Sequence, residues 1–265
     1  MKKTNFAILS LLTAGILTLA LTGFKTLGKP HKQPLKVERQ NLMLQHMVGN
    51  IPSEDFDIGI MMDIPVSGPT ILVDSVTRLL NQSLYNFFDD KMDPRFTPDE
   101  VYCPDGKRVL QHYREAYSPY IEDTCEFHGC CSTFDFLSVT MVEQTESFVT
   151  YQVSDYFIGE GDCNYLKWVT FDKRDGHRLR QVINDKDIPE LLKTAGETEY
   201  NVWFEAEYDL LEGYEIAWRC DFGLTTDSLR CQYFLAPGIV DTFTLDMESV
   251  RLFLTDEAKE LLKEE

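Results

Sequence analysis

The residues best suited to chemistry gather in the run Cys125-Glu126-Phe127-His128-Gly129-Cys130-Cys131, with Cys103 upstream. Thiolates and an imidazole are ligands that zinc prefers, but the paired cysteine spacing of a zinc ribbon or finger is missing. The run therefore reads as disulfide chemistry in an oxidising compartment. No metal and no other cofactor is expected. The remaining cysteines are Cys163, Cys220 and Cys231, which makes seven, so at least one thiol is unpaired within a monomer.

Nucleophilic catalysis finds little support. No Gly-x-Ser-x-Gly elbow occurs, and His31, His46, His112, His128 and His177 have no neighbours that suggest a general base. His177 follows a turn glycine and reads as exposed. Asp172 to Gly176 lacks the spaced oxygens of a calcium loop, because Arg174 stands where an oxygen ligand is needed. The chain has 44 acidic residues, and no two of them stand out as the carboxylate pair of a glycosidase. No catalytic residue is assigned. A cell-wall glycan hydrolase working through paired carboxylates is the alternative to a binding function.

Two features remain as candidate sites. Gly159-Glu160-Gly161-Asp162 breaks two apolar strands and has the make-up of a recognition loop; an ordinary connection is the competing reading. Cys220 and Cys231 flank a hairpin turn. With Thr225 and Thr226 at the centre of that turn, the two cysteines face each other within disulfide reach. With Asp227 and Ser228 there instead, the register slips and no bond forms.

The elements that must position these residues are legible from periodicity. Ile58, Ile60, Met62 and Ile64 alternate with more polar neighbours, which predicts a half-buried strand over Asp57 to Pro65, ended by Gly68-Pro69. Val76, Leu79, Leu80, Leu84, Phe87 and Phe88 recur every three or four residues, which predicts a helix over Asp74 to Asp89 capped by Asp74 or Ser75. A second helix is expected over Gly106 to Ala116. Phe136 to Val142 and Phe148 to Tyr156 form a hairpin, followed by a strand over Tyr165 to Phe171, a turn ending in Gly176, and a short helix after Asp187. A second hairpin joins Tyr214 to Phe222 with Leu229 to Leu235. A strand over Phe243 to Met247 and two short helices end the chain. Strands in runs with helices inserted predict an α+β fold, an antiparallel sheet of hairpins with packed helices.

Charge and the N-terminus bound the setting. The net charge is −19, but residues 1–39 hold seven of the 25 basic residues and one of the 44 acidic ones. The rest of the chain therefore carries 18 basic and 43 acidic side chains, a net charge near −25. Such a body repels nucleic acids and attracts basic partners. Met1-Lys2-Lys3 followed by the apolar run Phe6 to Leu21 reads as a signal peptide or N-terminal membrane anchor over residues 1–24. Residues 25–50, rich in Lys, Gln, Pro and His, are expected to be a linker with a short helix near Leu42 to Met47. Residues 51–146 and 147–265 then pack as one globular unit. An extracytoplasmic location follows, with membrane contact only through an uncleaved N-terminal segment.

The stretch from Phe148 onward resembles the C-terminal extracytoplasmic domain of RsiV-type anti-sigma factors, which also accompanies some secreted peptidoglycan deacetylases. The matching residues are Val149-Thr150-Tyr151, Thr170-Phe171-Asp172 with Asp175-Gly176 and Leu179, and the helix near Asp187 to Leu192. Phe222-Gly223-Leu224-Thr225, Cys231-Gln232-Tyr233-Phe234 and the block Phe243 to Leu254 match further on. The family's Gly-Gly-Ala-His loop is Gly159-Glu160-Gly161-Asp162-Cys163 here, and its Pro-Tyr-Glu is replaced by Ala236-Pro237-Gly238-Ile239. Five residues precede the apolar run, so neither a sigma-binding domain nor a deacetylase domain is expected. The resemblance implies a non-enzymatic, envelope-facing domain that recognises a protein, a lysozyme in the family, and the charge of the body makes a basic envelope or host protein the expected partner class.

Overall fold

In a computed structural model of the chain, residues 33–48, 51–89, 102–123, 133–158, 163–196, 220–236 and 239–263 are described. Eight strands among them form two sheets. The larger runs in the order β1 (Lys36–Val48), β2 (Ile51–Ser67), β3 (Thr133–Gln144), β4 (Phe148–Ile158) and β5 (Cys163–Asp172). The smaller is the meander β6 (Cys220–Leu224), β7 (Ser228–Ala236) and β8 (Ile239–Asp246). With five described α-helices beside them, the architecture is α+β, as the pattern of elements predicts.

Two differences from the expected fold have simple causes. The stretch Lys36–Val48, read as linker with a short helix, is the edge strand β1. Its polar composition suits an edge strand, whose outer side faces water. It is tied to its neighbour by Arg39, which donates to both carboxylate oxygens of buried Asp63 at 2.8 and 2.9 Å. The larger sheet is also mixed rather than antiparallel, because β2 and β3 are parallel, with Ile60 opposite Leu137. A parallel pair needs a crossover long enough to return the chain to the same end. Here that crossover contains α1 (Thr70–Asp89) and α2 (Val109–Asp123).

The expected strand and helix faces are the buried ones. Ile58, Ile60, Met62 and Ile64 are at most 1% exposed. They meet Leu72, Val76, Leu80, Leu84, Phe87 and Phe88 of α1, all similarly buried. Burying each such side chain contributes about 1.5–3 kcal/mol. Helix α1 begins at Thr70, four residues before the expected cap, directly after Pro69, whose carbonyl accepts from Val73 N at 2.9 Å. Buried Asn81 then fixes the entry to α2: its side chain pairs with both N and O of Cys103, at 2.8 and 3.0 Å.

A second core lies under the smaller sheet. Leu224, Leu229, Cys231 and Phe243 pack with Leu179, Ile183, Ile188 and Leu191 and with the C-terminal helices α4 (Met247–Val250) and α5 (Asp256–Lys263). Ile188 and Leu191 belong to α3 (Ile188–Gly196), which carries Pro189 in its first turn. Residues Gln33–Glu265 form one compact unit around both cores. No described helix is long and apolar enough to cross a membrane.

Candidate functional site

The site begins at the turn that ends β5. Gly176 N donates to Asp172 O at 2.8 Å, with Gly176 at φ +69°, a conformation that glycine adopts without steric penalty. A Cβ there would also lie 2.6 Å from the Ile71 side chain and 2.9 Å from its backbone. Buried Asp172 holds the turn from below. It accepts from Arg174 N at 2.7 Å and from the Arg174 guanidinium at 2.7–3.1 Å. Arg174 also reaches Glu260 of α5 at 2.9 Å.

His177 forms the outer layer of the same turn. Its Nδ1 lies 2.6 Å from Asp175 and its Nε2 is bonded to Glu257 of α5. Burial disfavours the charged ring, but the bonds to Glu257 and Asp175 outweigh it and raise the His177 pKa. Burial likewise works to raise Asp175, and the hydrogen bonds from His177 outweigh it, so Asp175 is lowered. Ligand-type atoms of Asp172, Asp175 and His177 all lie within 4.8 Å of one another. Their bonding capacity is directed at Arg174, Glu257 and each other, so the group works as an ion network that fastens the turn to α5. The side chain read from sequence as simply exposed is a bridge between two carboxylates.

From this turn the chain runs back along the outer edge of β5. Asp172 N donates to His177 O and Leu179 N to Thr170 O, each at 2.9 Å, with Phe171 bridged to Arg178. Farther along, β5 is capped by side chains of the smaller sheet. Leu166 N donates to Gln232 Oε1 at 2.7 Å and Trp168 N to Asp221 Oδ1 at 3.1 Å. Thr150 Oγ1 donates to Leu224 O at 2.7 Å and lies 2.9 Å from Thr170 Oγ1, which joins the sheets at a further point.

Between the β5 edge, the segment 178–183 and β6 lies a cavity of about 210 Å³. Its walls carry Trp168, Arg178, Arg180, Asp185, Asp221 and Phe222. Both arginines are exposed and line the cavity, whereas Leu179 between them is buried. Trp168 is 6% exposed and lies against Gly223, where a Cβ would come within 2.5 Å of the indole. Its Nε1 is buried without a hydrogen-bond partner. Burial pushes Asp221 up to about 6, against the Trp168 N–H and the charges of Lys167 and Arg178. Burial and the neighbouring Arg178 lower Lys167.

The candidate residues read from sequence fall elsewhere. Gly159, Glu160, Gly161 and Asp162, and the Cys125 to Cys131 run, lie outside the described residues. Cys220 and Cys231 do not oppose each other. Cys220 pairs with Tyr233 and Phe222 with Cys231, and both thiols are free. The turn is centred on Thr226 and Asp227, closed by Thr225 N donating to Ser228 O at 3.1 Å, which sets Cys231 two residues away from the position opposite Cys220. Burial pushes the Cys220 thiol up to about 12 and Cys231 well above its ordinary value, so both are poor nucleophiles. The cleft residues Trp168, Arg178, Arg180 and Asp221 escaped the sequence reading. Their one signal was Arg178-Leu179-Arg180, two cations at strand spacing in an acidic body.

No family model matches the chain, and no curated protein matches it. Among solved structures it is similar to a DUF3298 family protein from Pseudomonas aeruginosa PAO1. That likeness has 12% identity and a TM-score of 0.53, and covers 86% of this chain and 97% of the other. It is also similar to a member of the DUF3298 family from Bacteroides fragilis NCTC 9343, at 14% identity and a TM-score of 0.56, over 88% of this chain and 100% of the other. At these identities the likeness is one of fold: the two sheets and their helices follow an arrangement that DUF3298 family proteins share.

Proposed function

We propose that the chain is an exported, envelope-facing binding domain without catalytic activity, and that its partner is a basic envelope or host protein. The observation that carries this reading is the partition of charge. The body beyond residue 39 has 43 acidic against 18 basic side chains. A field of that size speeds encounter with basic partners and repels nucleic acid. Exposed Asp175, Asp185, Glu190, Glu248, Asp256 and Glu260 contribute to it from the turn after β5, the start of α3 and the C-terminal helices. The resemblance to RsiV-type extracytoplasmic domains supports the same reading and puts lysozymes within the partner class. Capture from envelope extracts and host fluids with residues 33–265 tests it. Basic proteins should be retained at low salt and released as salt rises; retention of neutral glycans alone would contradict it.

One observation favours a second reading. Asp221, held in a cleft with its pKa near 6, has the protonation behaviour of a general acid, and Asp185 lines the same cleft. A glycan hydrolase would turn over peptidoglycan and lose that activity on Asp221→Asn. A binding domain shows no turnover in either form.

A further inference from the structure

The inter-sheet cleft carries more recognition chemistry than its structural role needs. Arg178 and Arg180 are exposed, and among the described residues neither guanidinium makes an ion pair. An indole N–H is only a donor, and a buried one without an acceptor is uncommon enough to require a reason. Trp168 Nε1 is such a group, and the Trp168 side chain lines the same cavity. Asp221 is the neighbouring acceptor, with one oxygen bonded to Trp168 N. Val182 and Phe222 add apolar wall. In a chain with a net charge of −19, two arginines without an ion pair among the described residues stand beside an orphan donor in one cavity, with Asp185 and Asp221 on its walls.

We infer that this cleft binds a small carboxylate-bearing ligand of the N-acylamino-acid or peptide C-terminus class. The guanidinium fork matches the two oxygens of a carboxylate, which a point-charge amine would not distinguish from other anions. The indole N–H supplies a donor to a ligand oxygen, and Asp221 accepts from an adjacent amide N–H. A volume of about 210 Å³ is below the usual range of roughly 300–1,000 Å³ for ligand cavities, which limits the enclosed part to one or two small residues. The inference is independent of the basic-partner reading, because it uses the two arginines and the Trp168 wall of the cleft and not the acidic field of the whole body.

The test is a titration of the full-length chain followed by the indole N–H resonance of Trp168, one of three tryptophans, identified through Trp168→Phe. The probes are N-acetyl-trialanine with a free carboxylate, the same peptide as its C-terminal amide, sodium acetate and inorganic phosphate. The free-carboxylate peptide should shift the resonance saturably, and the amide should bind at least about tenfold more weakly, because it lacks the charge-assisted bonds. Acetate should bind more weakly than the peptide, since it offers no amide to Asp221. Arg178→Gln with Arg180→Gln should weaken the peptide by at least about tenfold. Both side chains are exposed, so folding is not at stake. An unmoved resonance, equal binding of the amide, or phosphate binding as well as the peptide would each overturn the proposal. None of these results would alter salt-dependent capture of a basic protein.

Discussion

Single residues set the pH response of this molecule. Asp221 is shifted by burial from 3.8 to about 6. Between those values the folded chain holds a proton that the unfolded chain has released, so stability falls as pH rises through that window. Asp221→Asn keeps an oxygen for Trp168 N and removes the titration. The variant should gain on the parent across pH 4 to 6, by up to about 3 kcal/mol, in urea unfolding at each pH. His177 behaves in the opposite sense. Its pKa is raised, so its contribution is complete below 6.5 and disappears as pH climbs through the folded value. Asp175 is lowered, so its contribution is present above 3.8 and lost as pH falls through its folded value. The loss of stability on His177→Ala should therefore be largest between these two ordinary values. A loss that stayed constant to pH 9 would show that packing, and not charge, carries the effect.

At the scale of elements, the turn after β5 determines the course of the segment that builds the cleft. Gly176→Ala forces a left-handed backbone on a residue with a Cβ and drives that Cβ into Ile71. It should lower stability by about 1–3 kcal/mol, read as a shift in the urea midpoint. Helix α1 offers a contrasting test. Leu80 is completely buried between the helix and the larger sheet, and Leu80→Ala should cost about 2–5 kcal/mol through lost transfer energy and a residual cavity. The β6–β7 hairpin should behave identically with and without reductant, since its register keeps Cys220 and Cys231 from direct opposition. Peptide mapping that recovered a Cys220–Cys231 bridge would contradict that register.

For the whole molecule, the expectations concern location and long-range field. A reporter active only outside the cytoplasm, fused after residue 60, should be active. Activity of a cytoplasm-only reporter at the same point would exclude export. Affinity for a basic protein should fall as salt rises, since the Debye length shrinks from about 10 Å at 0.1 M to about 3 Å at 1 M. A dissociation constant that held steady over that range would leave charge without a role in the contact.

The sequence by itself determined the elements with a strong period. Ile58 to Ile64 alternate on an apolar face, and Val76 to Phe88 repeat at helical spacing, because these faces are buried against one another. The α+β class followed from the same patterns. Short-range turn chemistry was legible too, as at Asp172 to Gly176, where Gly176 does have positive φ. Other features depended on contacts distant in sequence. The strand character of Lys36–Val48 comes from pairing with β2, and its own polar composition does not announce it. The parallel β2–β3 pair depends on where α1 and α2 return the chain. The hairpin register came from Thr225 bonding Ser228, a one-residue choice between turns that composition alone does not make. The cleft is the clearest case. Trp168 and Asp221 are 53 residues apart and meet because the smaller sheet caps the open edge of β5 with side chains. Burial then shifts Asp221 and isolates the indole N–H. Periodicity records which face of an element is apolar, whereas a site of this kind is made by two elements arriving at one edge, which only the tertiary structure decides.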